Sequence, residues 1–484
     1  MKSSAQGGRQ FSGTSTGQVT GLAHGAVGPA RVIAFGASNV APAGAVVAGL
    51  IIVVGYAGYA SPLVVLIAFA ASLCCASSVA EFARRLPSAG SLYTYNSRGL
   101  GQTAGFLTGW MMVFAYALYV PAGLALTSAY ASQLVADTLH VTVAAWVLFI
   151  VILAAVVLIA YLGIGTSSWV DLVLVTGEVA VIAALAITIL VKVGPAHYSA
   201  AVLDPGSSPH GQLADITNAM IFGITAFAGF EAAAALGEEA RNTRRSIPAG
   251  TIGVVIVAGI FYLVVVLAEM FGVGRQGIPS FAGQQNPLGY LTSQYWSPSA
   301  RWVIEAVVVL TGLGFVVASL NVSIRVLFAM GRERALPPAL ARLSGRHTPV
   351  VAIGCVTLLA LALGLPLTYL NGGTRTFGYL AGAGGLSVVL VYLALNIATI
   401  RAFRTEFRGE FTVGRHLLAP AVAAVLFMFP LWGLLHPRTH HLADLLPFVA
   451  LGWLALGVIA AGILRARRPA SFEAIGRVFA PARK

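Results

Sequence analysis

Carboxyl groups in apolar surroundings are the side chains of this sequence best suited to chemistry. Glu231 and Glu178 each lie in the middle of a long apolar stretch. A carboxylate near the centre of a bilayer costs about 3 kcal/mol on insertion scales, so it needs a hydrogen-bond partner or a proton. Both residues are therefore candidates for binding a coupling proton or cation. The structural alternative for each is a neutral carboxyl group that only hydrogen-bonds to a neighbouring helix.

Further polar residues lie on other apolar stretches. Ser319 and Ser323 are one helical turn apart, and we expect them to face the same position as Glu178. Glu269 and Glu305 lie near the predicted outer ends of their stretches, where we expect solvated side chains. Weaker candidates for supporting a pocket or gate, with ordinary helix packing as the alternative, are Tyr116, Asn321 and Tyr392.

The composition places these residues in membrane helices. The 484 residues are 58% hydrophobic and only 9% charged, against about 25% charged in a soluble globular domain. A membrane-spanning helix needs about 20 predominantly apolar residues. Such stretches begin near residues 33, 61, 102, 143, 168, 213, 249, 300, 349, 377, 416 and 444. The sequence therefore predicts an all-α polytopic membrane protein with twelve transmembrane helices, numbered here as spans 1 to 12.

The basic residues indicate the orientation of these spans. The net charge of +13 would suit nucleic acid, but the distribution of the charge argues against that partner. All but five of the Lys and Arg residues fall in the terminal segments or at the ends of spans expected to be cytoplasmic, which is the positive-inside pattern. We therefore expect a cytoplasmic-membrane protein in contact with lipid, with both termini inside: a flexible tail at 1–30 and a C-terminal tail at 467–484.

Two spans contain helix-breaking residues at membrane depth. Pro42 lies between Gly36 and Gly44 in span 1, and Gly229 precedes Glu231 in span 6. An interrupted helix is tolerated only where it lines a cavity enclosed by protein. Corresponding breaks in two halves are typical of transporters built from inverted repeats. We expect repeats at 31–201 and 202–402, with spans 11 and 12 at 403–466. The alternative is that glycine is simply frequent, since the chain has 54 of them.

Three segments resemble the amino acid–polyamine–organocation (APC) permeases. They are residues 81–95 (EFARRLPSAGSLYTY), residues 226–231 (AFAGFE) with 238–248 (EEARNTRRSIP), and residues 321–337 (NVSIRVLFAMGRERALP) with Thr348-Pro349 beyond. The resemblance covers most of residues 30–400. It implies an inverted 5+5 repeat with broken helices 1 and 6, as in the leucine-transporter (LeuT-like) fold. It also implies secondary active transport of amino acids or related amines.

The resemblance further implies where a substrate binds. Free amides at the start of a half-helix bind a carboxylate, and unpaired carbonyls at a half-helix end bind an ammonium group. Span 1 is expected to supply the amides and span 6 mainly the carbonyls. The residues predicted to bind substrate are Ser38, Asn39, Val40, Ala41, Pro42, Ala43, Gly44, Phe227, Ala228, Gly229 and Phe230.

The sequence thus predicts an amino-acid permease that works by alternating access, as a proton symporter, with sodium as the alternative coupling ion. An amino-acid or amine exchanger and a polyamine transporter are alternatives of the same class. A membrane-embedded enzyme or a channel would be a different class. No catalytic His-Glu-x-x-His or Ser/His constellation occurs in a span, so we expect no enzymatic activity and no cofactor. The histidines lack metal-ligand spacing on one helix, so we expect no metal site.

Overall fold

The computed structural model describes residues 32–33, 36–37, 40–86, 91–162, 168–235, 243–284, 286–345, 348–434, 446–473 and 475. The regular secondary structure within these ranges is entirely helical. Ten of the described helical segments are long and apolar enough to cross a membrane. The predicted all-α, multi-pass membrane class is therefore confirmed.

The first half of the chain begins at the break of span 1. Helix α1 covers 42–57 and joins Pro42–Gly44, the π-helical segment Ala45–Leu50 and Ile51–Ala57. The next five helices are α2 (Ser61–Arg85), α3 (Ser91–Leu100), α4 (Gln102–Leu139), α5 (Ala145–Leu162) and α6 (Ser168–Val193). Helix α3 is a short helix in the connection between spans 2 and 3, and the others correspond to spans 1 to 5.

The second half begins at the break of span 6. Its first helices are α7 (Leu213–Thr225), α8 (Ala232–Ala235), α9 (Thr243–Ala282), α10 (Pro287–Tyr295) and α11 (Arg301–Arg332). Helix α12 covers 350–371 and contains a π-helical segment, Ala360–Gly364. The chain continues with α13 (Gly373–Thr405), α14 over 414–434, α15 (Leu446–Arg467) and α16 (Pro469–Glu473). Gly274, at φ 68°, has a non-helical backbone conformation and divides α9 into two helices at a kink.

The number of crossings remains a prediction. The apolar range Pro42–Arg85 contains both predicted spans 1 and 2, divided by a turn at Gly58 with φ 56°. Predicted span 6 corresponds to Leu213–Thr225, which is shorter than a full crossing. The ten long apolar helices become twelve spans when the first range is divided at Gly58 and the short helix of span 6 is added. The division into two repeats with appended spans also stays a prediction.

Helix α4 packs against both α11 and α13, and it thus lies between helices of the second half. Glycine residues allow these helices to approach one another closely. A Cβ atom at Gly123 of α4 would lie 2.7 Å from the Phe315 ring of α11, and one at Gly384 of α13 would lie 2.7 Å from the Tyr119 ring. Small residues permit this spacing in membrane helices because association there depends on van der Waals packing.

A polar cluster joins the ends of α2 and α14 on the side with the arginine-rich connections. The Glu81 carboxylate accepts hydrogen bonds from Arg85 at 2.8 Å and from Nε2 of His416 at 3.1 Å. The backbone N–H of Thr412 donates to Nδ1 of His416 at 2.8 Å, which assigns the proton to Nε2. Arg85 also pairs with Glu410 in the connection before α14. These contacts satisfy a buried carboxylate and fix the two helix ends together.

A candidate substrate cavity between two helix breaks

The break in span 1 lies at Ala41 and Pro42. Ala41 adopts a left-handed backbone conformation, with φ 48° and ψ 66°, and the helix restarts with Pro42 in its first turn. Proline is suited to that position because it has no N–H to leave unpaired. The Ala41 carbonyl accepts the N–H of Ala45 at 3.0 Å. The N–H groups of Ala43 and Gly44 belong to the first turn, where helix geometry supplies no acceptor.

The break in span 6 covers residues 226–231, between α7 and α8. Gly229 lies inside it with φ 106°, a conformation that favours glycine. Short-range bonds partly replace the helical ladder, such as Ala228 N–H to Thr225 O at 2.9 Å and Ala232 N–H to Gly229 O at 3.0 Å. The Tyr262 hydroxyl from α9 donates to Ala226 O at 2.8 Å. Side chains and turns therefore stabilise an interruption in the membrane interior.

A cavity of about 60 Å³ lies between the two breaks. Residues from α1, α4, α7, the span 6 break, α11 and α13 line it together with the residues just before α1. Most of these side chains are apolar, and the polar ones are hydroxyls. The lining residues are Val40, Ala41, Gly44, Ala45, Gly49, Tyr116, Tyr119, Gly123, Leu126, Thr127, Phe222, Thr225, Ala226, Ala228, Val308, Gly312, Phe315, Phe377 and Ala381.

Glu231 lies at the end of the span 6 break and is only 3% exposed. Its carboxyl group has three hydrogen-bond donors from three parts of the fold. The hydroxyl of Tyr116 donates at 2.7 Å, that of Tyr392 at 2.6 Å, and the backbone N–H of Gly229 at 3.0 Å. Tyr116 also lines the cavity. The carboxyl group is thus linked to the cavity wall through one hydroxyl.

Glu178 on α6 is also buried, with 6% of its surface exposed. Its carboxyl group lies beside the Thr311 hydroxyl of α11. A Cβ atom at Gly44 would lie 3.2 Å from the Thr311 methyl group. Thr311 therefore contacts the restart of span 1 as well as the Glu178 carboxyl group.

The two predicted serines do not occupy the position beside Glu178. Ser319 lies eight residues after Thr311 on α11, which is about 12 Å along the helix axis. Ser323 donates its hydroxyl to Ser319 O at 2.9 Å, a bond within the same helix. The expectation that these serines face Glu178 fails because their register along α11 is two turns away.

The predicted substrate-binding residues divide into three groups. Val40, Ala41, Gly44 and Ala228 line the cavity. Residues that belong to the breaks without lining the cavity are Pro42, Ala43, Phe227, Gly229 and Phe230, and Ser38 and Asn39 lie outside the described residues.

Phe227 and Phe230, the two phenylalanines of the span 6 break, do not line the cavity. The Phe227 ring stacks on Phe69 with centroids 6.0 Å apart and packs edge-on against Tyr262 at 5.1 Å. The Phe230 ring packs on Tyr392 at 5.3 Å. The rings of Phe227 and Phe230 thus pack against neighbouring helices, whereas Ala226 and Ala228 line the cavity.

Three other expectations for α11 and α9 were also wrong. Asn321 is exposed, so it does not support the cavity. Glu305 and Glu269 are 0% and 2% exposed, respectively, instead of solvated. The Asn286 amide at the start of α10 donates to Glu305 at 2.9 Å, and α10 packs against α11 at this end. The position of a residue near the end of a span does not indicate whether another helix packs over it.

Tyr119 and Thr127 are cavity residues that the sequence reasoning missed. With Tyr116 and Gly123 they occupy positions i, i+3, i+7 and i+11 of α4, which place them on one helix face. The sequence did offer a signal for the cavity, because polar and small residues share this one face of a membrane helix. Phe222, Phe315 and Phe377 were also missed, and an isolated phenylalanine in a span carries no such signal.

Comparison with known proteins agrees with this architecture. The sequence profile of the amino acid permease family matches residues 32–436. A branched-chain amino acid permease of Lactococcus lactis is 26% identical over 389 residues, covering 74% of this chain and 78% of that protein. A branched-chain amino acid permease of Bacillus subtilis is 28% identical over 386 residues, covering 75% and 78%.

Solved structures show the same kind of fold. A manganese transporter of Eremococcus coleocola aligns with a TM-score of 0.57 over 90% of this chain and 95% of its own, at 13% identity. At that identity the likeness concerns the fold alone. The family match over most of the sequence is the deciding observation. The chain belongs to the amino acid permease family of the amino acid–polyamine–organocation superfamily, whose members are membrane transporters and not enzymes.

Proposed function

We propose that this chain is a proton-coupled symporter of neutral aliphatic amino acids, which works by alternating access. The observation that carries the proposal is the apolar cavity bounded by both helix breaks, with Glu231 bonded to its wall through Tyr116. The cavity supplies a place for the substrate between the two predicted repeats. The carboxyl group supplies a place for the coupling proton.

The substrate's charged groups would bind main-chain atoms. The first-turn amides of Ala43 and Gly44 lie at the positive end of a helix and suit a carboxylate. Gly44 lines the cavity, as do Ala226 and Ala228 from the opposite break. Carbonyl groups of this opposite segment suit the ammonium group. An amino acid placed between them would bridge the two breaks.

The lining side chains favour an aliphatic substrate side chain. Phe222, Phe315 and Phe377 contribute apolar surface, together with Leu126 and Val308. A carboxylate is not among the described residues that line the cavity, so a second amine of a polyamine would lack a partner there. Two relatives are named as branched-chain amino acid permeases, which is consistent with this preference. The 60 Å³ cavity must widen around such a side chain.

The contacts of Glu231 support the proposed proton coupling. An ionised carboxylate accepts all three of its hydrogen bonds, whereas a protonated one also donates and forces a neighbour to change its role. The neighbours lie on α4, on α13 and in the break itself. Proton uptake would therefore alter contacts among the elements expected to move. Sodium coupling near Glu178 and Thr311, or amino-acid and amine exchange, are the alternatives.

Transport by purified protein in liposomes tests this proposal. A panel of labelled amino acids and amines is offered with and without an acidic exterior. We expect uptake of leucine, isoleucine or valine that an inward proton gradient accelerates. Uptake of polyamines alone would contradict the substrate class, and uptake of no amino acid or amine would contradict the function.

The proposed topology has its own test. Single cysteines in the terminal segments and in α10 are labelled from one side of the membrane with an impermeant reagent. Twelve crossings with both termini inside require the termini to react from the cytoplasmic side and α10 from the other. Termini on opposite sides would contradict an even number of crossings.

A further inference from the structure

Helix α4 carries polar side chains from the cavity to its outer end. In order along the helix they are Tyr116, Tyr119, Thr127, Tyr130 and Asp137. Their separations of 3, 8, 3 and 7 residues keep them on one side of a helix with about 3.6 residues per turn. Tyr116 donates to Glu231 at 2.7 Å, and the Asp137 side chain at the other end is 37% exposed. The row therefore reaches from solvent to the proposed coupling carboxyl group.

Helix α11 faces this row in antiparallel register. Gly312 faces Thr127 so closely that a Cβ atom there would lie 2.1 Å from the hydroxyl oxygen. The Glu305 carboxyl group is within electrostatic range of the Tyr130 hydroxyl. Arg301 lies 3.7 Å from Asp137 and 3.6 Å from Glu305. A polar strip thus lies along the interface of two membrane helices.

Four oxygen atoms on this strip are buried without a hydrogen-bond partner in the described part of the chain. They are Tyr119 Oη, Thr127 Oγ1, Tyr130 Oη and Glu305 Oε2. At 3%, 0%, 1% and 0% exposure, respectively, none of these side chains is open to bulk solvent. The Thr225 hydroxyl lies near the Tyr119 hydroxyl, and the Asp137 carboxyl group lies near that of Glu305. Each unpaired buried group costs about 1–3 kcal/mol, and more than 90% of such groups are normally paired. Four along one interface indicate a row of sites for a hydrogen-bonding ligand.

We propose that this strip conducts the coupling proton from the outer surface to Glu231. The inference rests on the proposed proton symport. A proton from outer water binds Glu305; each hydroxyl then accepts a proton on its oxygen and releases its own toward the cavity. Tyr116 passes the last proton to Glu231, so one positive charge moves and each hydroxyl is restored. The cavity, at 60 Å³, exceeds the roughly 10–15 Å³ that one water molecule needs, so water can bridge Tyr116, Tyr119 and Thr127, which line it.

The charged and titratable neighbours of both ends are compatible with this path. Asp137 and Arg301 face Glu305, and Glu269 faces Tyr130. The groups that face Glu231 are Tyr116, Tyr119, Tyr392 and Cys75. Among the described residues, Arg301 is the cation paired with Asp137 and Glu305, and these two carboxyl groups are the place where a proton is received.

Variants that remove one oxygen each test the path. Thr127→Val and Tyr130→Phe keep the volume, and Glu305→Gln keeps the shape while removing the ionisable group. Uptake driven by an acidic exterior should fall about 100-fold in Glu305→Gln, the lower end of what a positioned proton-transfer group contributes, and about 10-fold in the two oxygen deletions. In Tyr130→Phe and Glu305→Gln, whose side chains do not line the cavity, substrate counterflow at equal pH on both sides should stay within about twofold of the wild type, because it needs no net proton movement. Thr127→Val alters the cavity lining, so its proton-driven uptake is compared with its own counterflow rate.

Ser128→Ala is the matched control, because Ser128 is adjacent on α4, is buried, and already donates to Ala125 O at 2.9 Å. It should leave both measurements unchanged. Wild-type-like proton-driven uptake in all three variants would overturn the path while leaving proton symport intact. Equal loss of counterflow and proton-driven uptake would overturn it in favour of a structural role. A wild type that ignores the proton gradient would contradict the proposed coupling itself.

Discussion

The two carboxyl groups singled out in the membrane interior, Glu231 and Glu178, are almost equally buried but differ in their surroundings. Glu231 accepts hydrogen bonds from two tyrosine hydroxyls and one backbone N–H. Glu178 has the hydroxyl of Thr311 beside it, and that hydroxyl donates to Val307 O at 2.9 Å on its own helix. The Glu231 carboxyl group thus has three hydrogen-bond donors, whereas the Glu178 carboxyl group has one hydroxyl beside it.

This difference bears on which group can couple to movement. Charge-assisted hydrogen bonds contribute about 1.5–3 kcal/mol each, so protonating Glu231 weakens contacts to α4, to α13 and within the span 6 break together. A change at Glu178 affects its contact to α11 and, through Thr311, the restart of span 1. We therefore expect Glu231 to dominate coupling. Substituting each carboxyl group and its donors in turn tests whether Glu231 contributes more to coupling than Glu178.

The largest effect is expected for Glu231→Gln. The amide cannot ionise, so uptake should lose its acceleration by an acidic exterior and fall by about 10- to 100-fold, as expected for losing about 1.5–3 kcal/mol of charge-assisted bonding. Initial uptake rates between pH 5 and 8 provide the measurement, with protein amount in the vesicles as the control. Pronounced pH dependence that survives the substitution would remove Glu231 from the coupling role.

The two tyrosine donors should differ in a second experiment. Tyr392→Phe removes a donor to Glu231 that is not part of the cavity lining, whereas Tyr116→Phe removes a donor that is. Each loss leaves a carboxylate oxygen short of a bond, at about 1–3 kcal/mol. Both variants should alter the pH profile, and Tyr116→Phe should also raise the KM for the amino acid. An identical KM change in both would show that lining the cavity is not what distinguishes them.

A smaller effect is expected for Glu178→Gln. If the coupling proton binds Glu231, uptake should change by less than about threefold, because the buried amide can still hydrogen-bond. Comparison of sodium with choline buffer sharpens this test. If the wild type requires sodium strongly and Glu178→Gln abolishes this requirement, Glu178 is the coupling group. Glu178 would then contribute more to coupling than Glu231, contrary to the proposal.

The smallest effect is expected for Thr311→Val, which keeps the contact of its methyl group with Gly44 and removes only the hydroxyl. Substrate affinity, followed as ligand-induced thermal stabilisation, should stay within about threefold of the wild type. A loss of affinity comparable to that of Tyr116→Phe would indicate that the Thr311 hydroxyl positions the restart of span 1 for substrate.

The sequence was most informative where the chemistry of a single residue restricts the backbone or its solvent. The apolar composition predicted the membrane class, and the pairing of Pro42 with Gly229 predicted the two breaks on either side of the cavity. A carboxyl group at membrane depth singled out Glu231. These statements depend on local properties: proline lacks a donor, glycine permits positive φ, and charge is costly in hydrocarbon.

Contacts between distant helices were decided only by the tertiary structure. The choice of Thr311 over Ser319 as the neighbour of Glu178 is a matter of register between α6 and α11. The Phe227 ring packs against Phe69 and Tyr262 of other helices, and Glu305 is bonded to Asn286 at the start of α10. Periodicity along one helix cannot determine these contacts, because packing between helices is fixed by the shapes of both surfaces and by the small residues that let them approach.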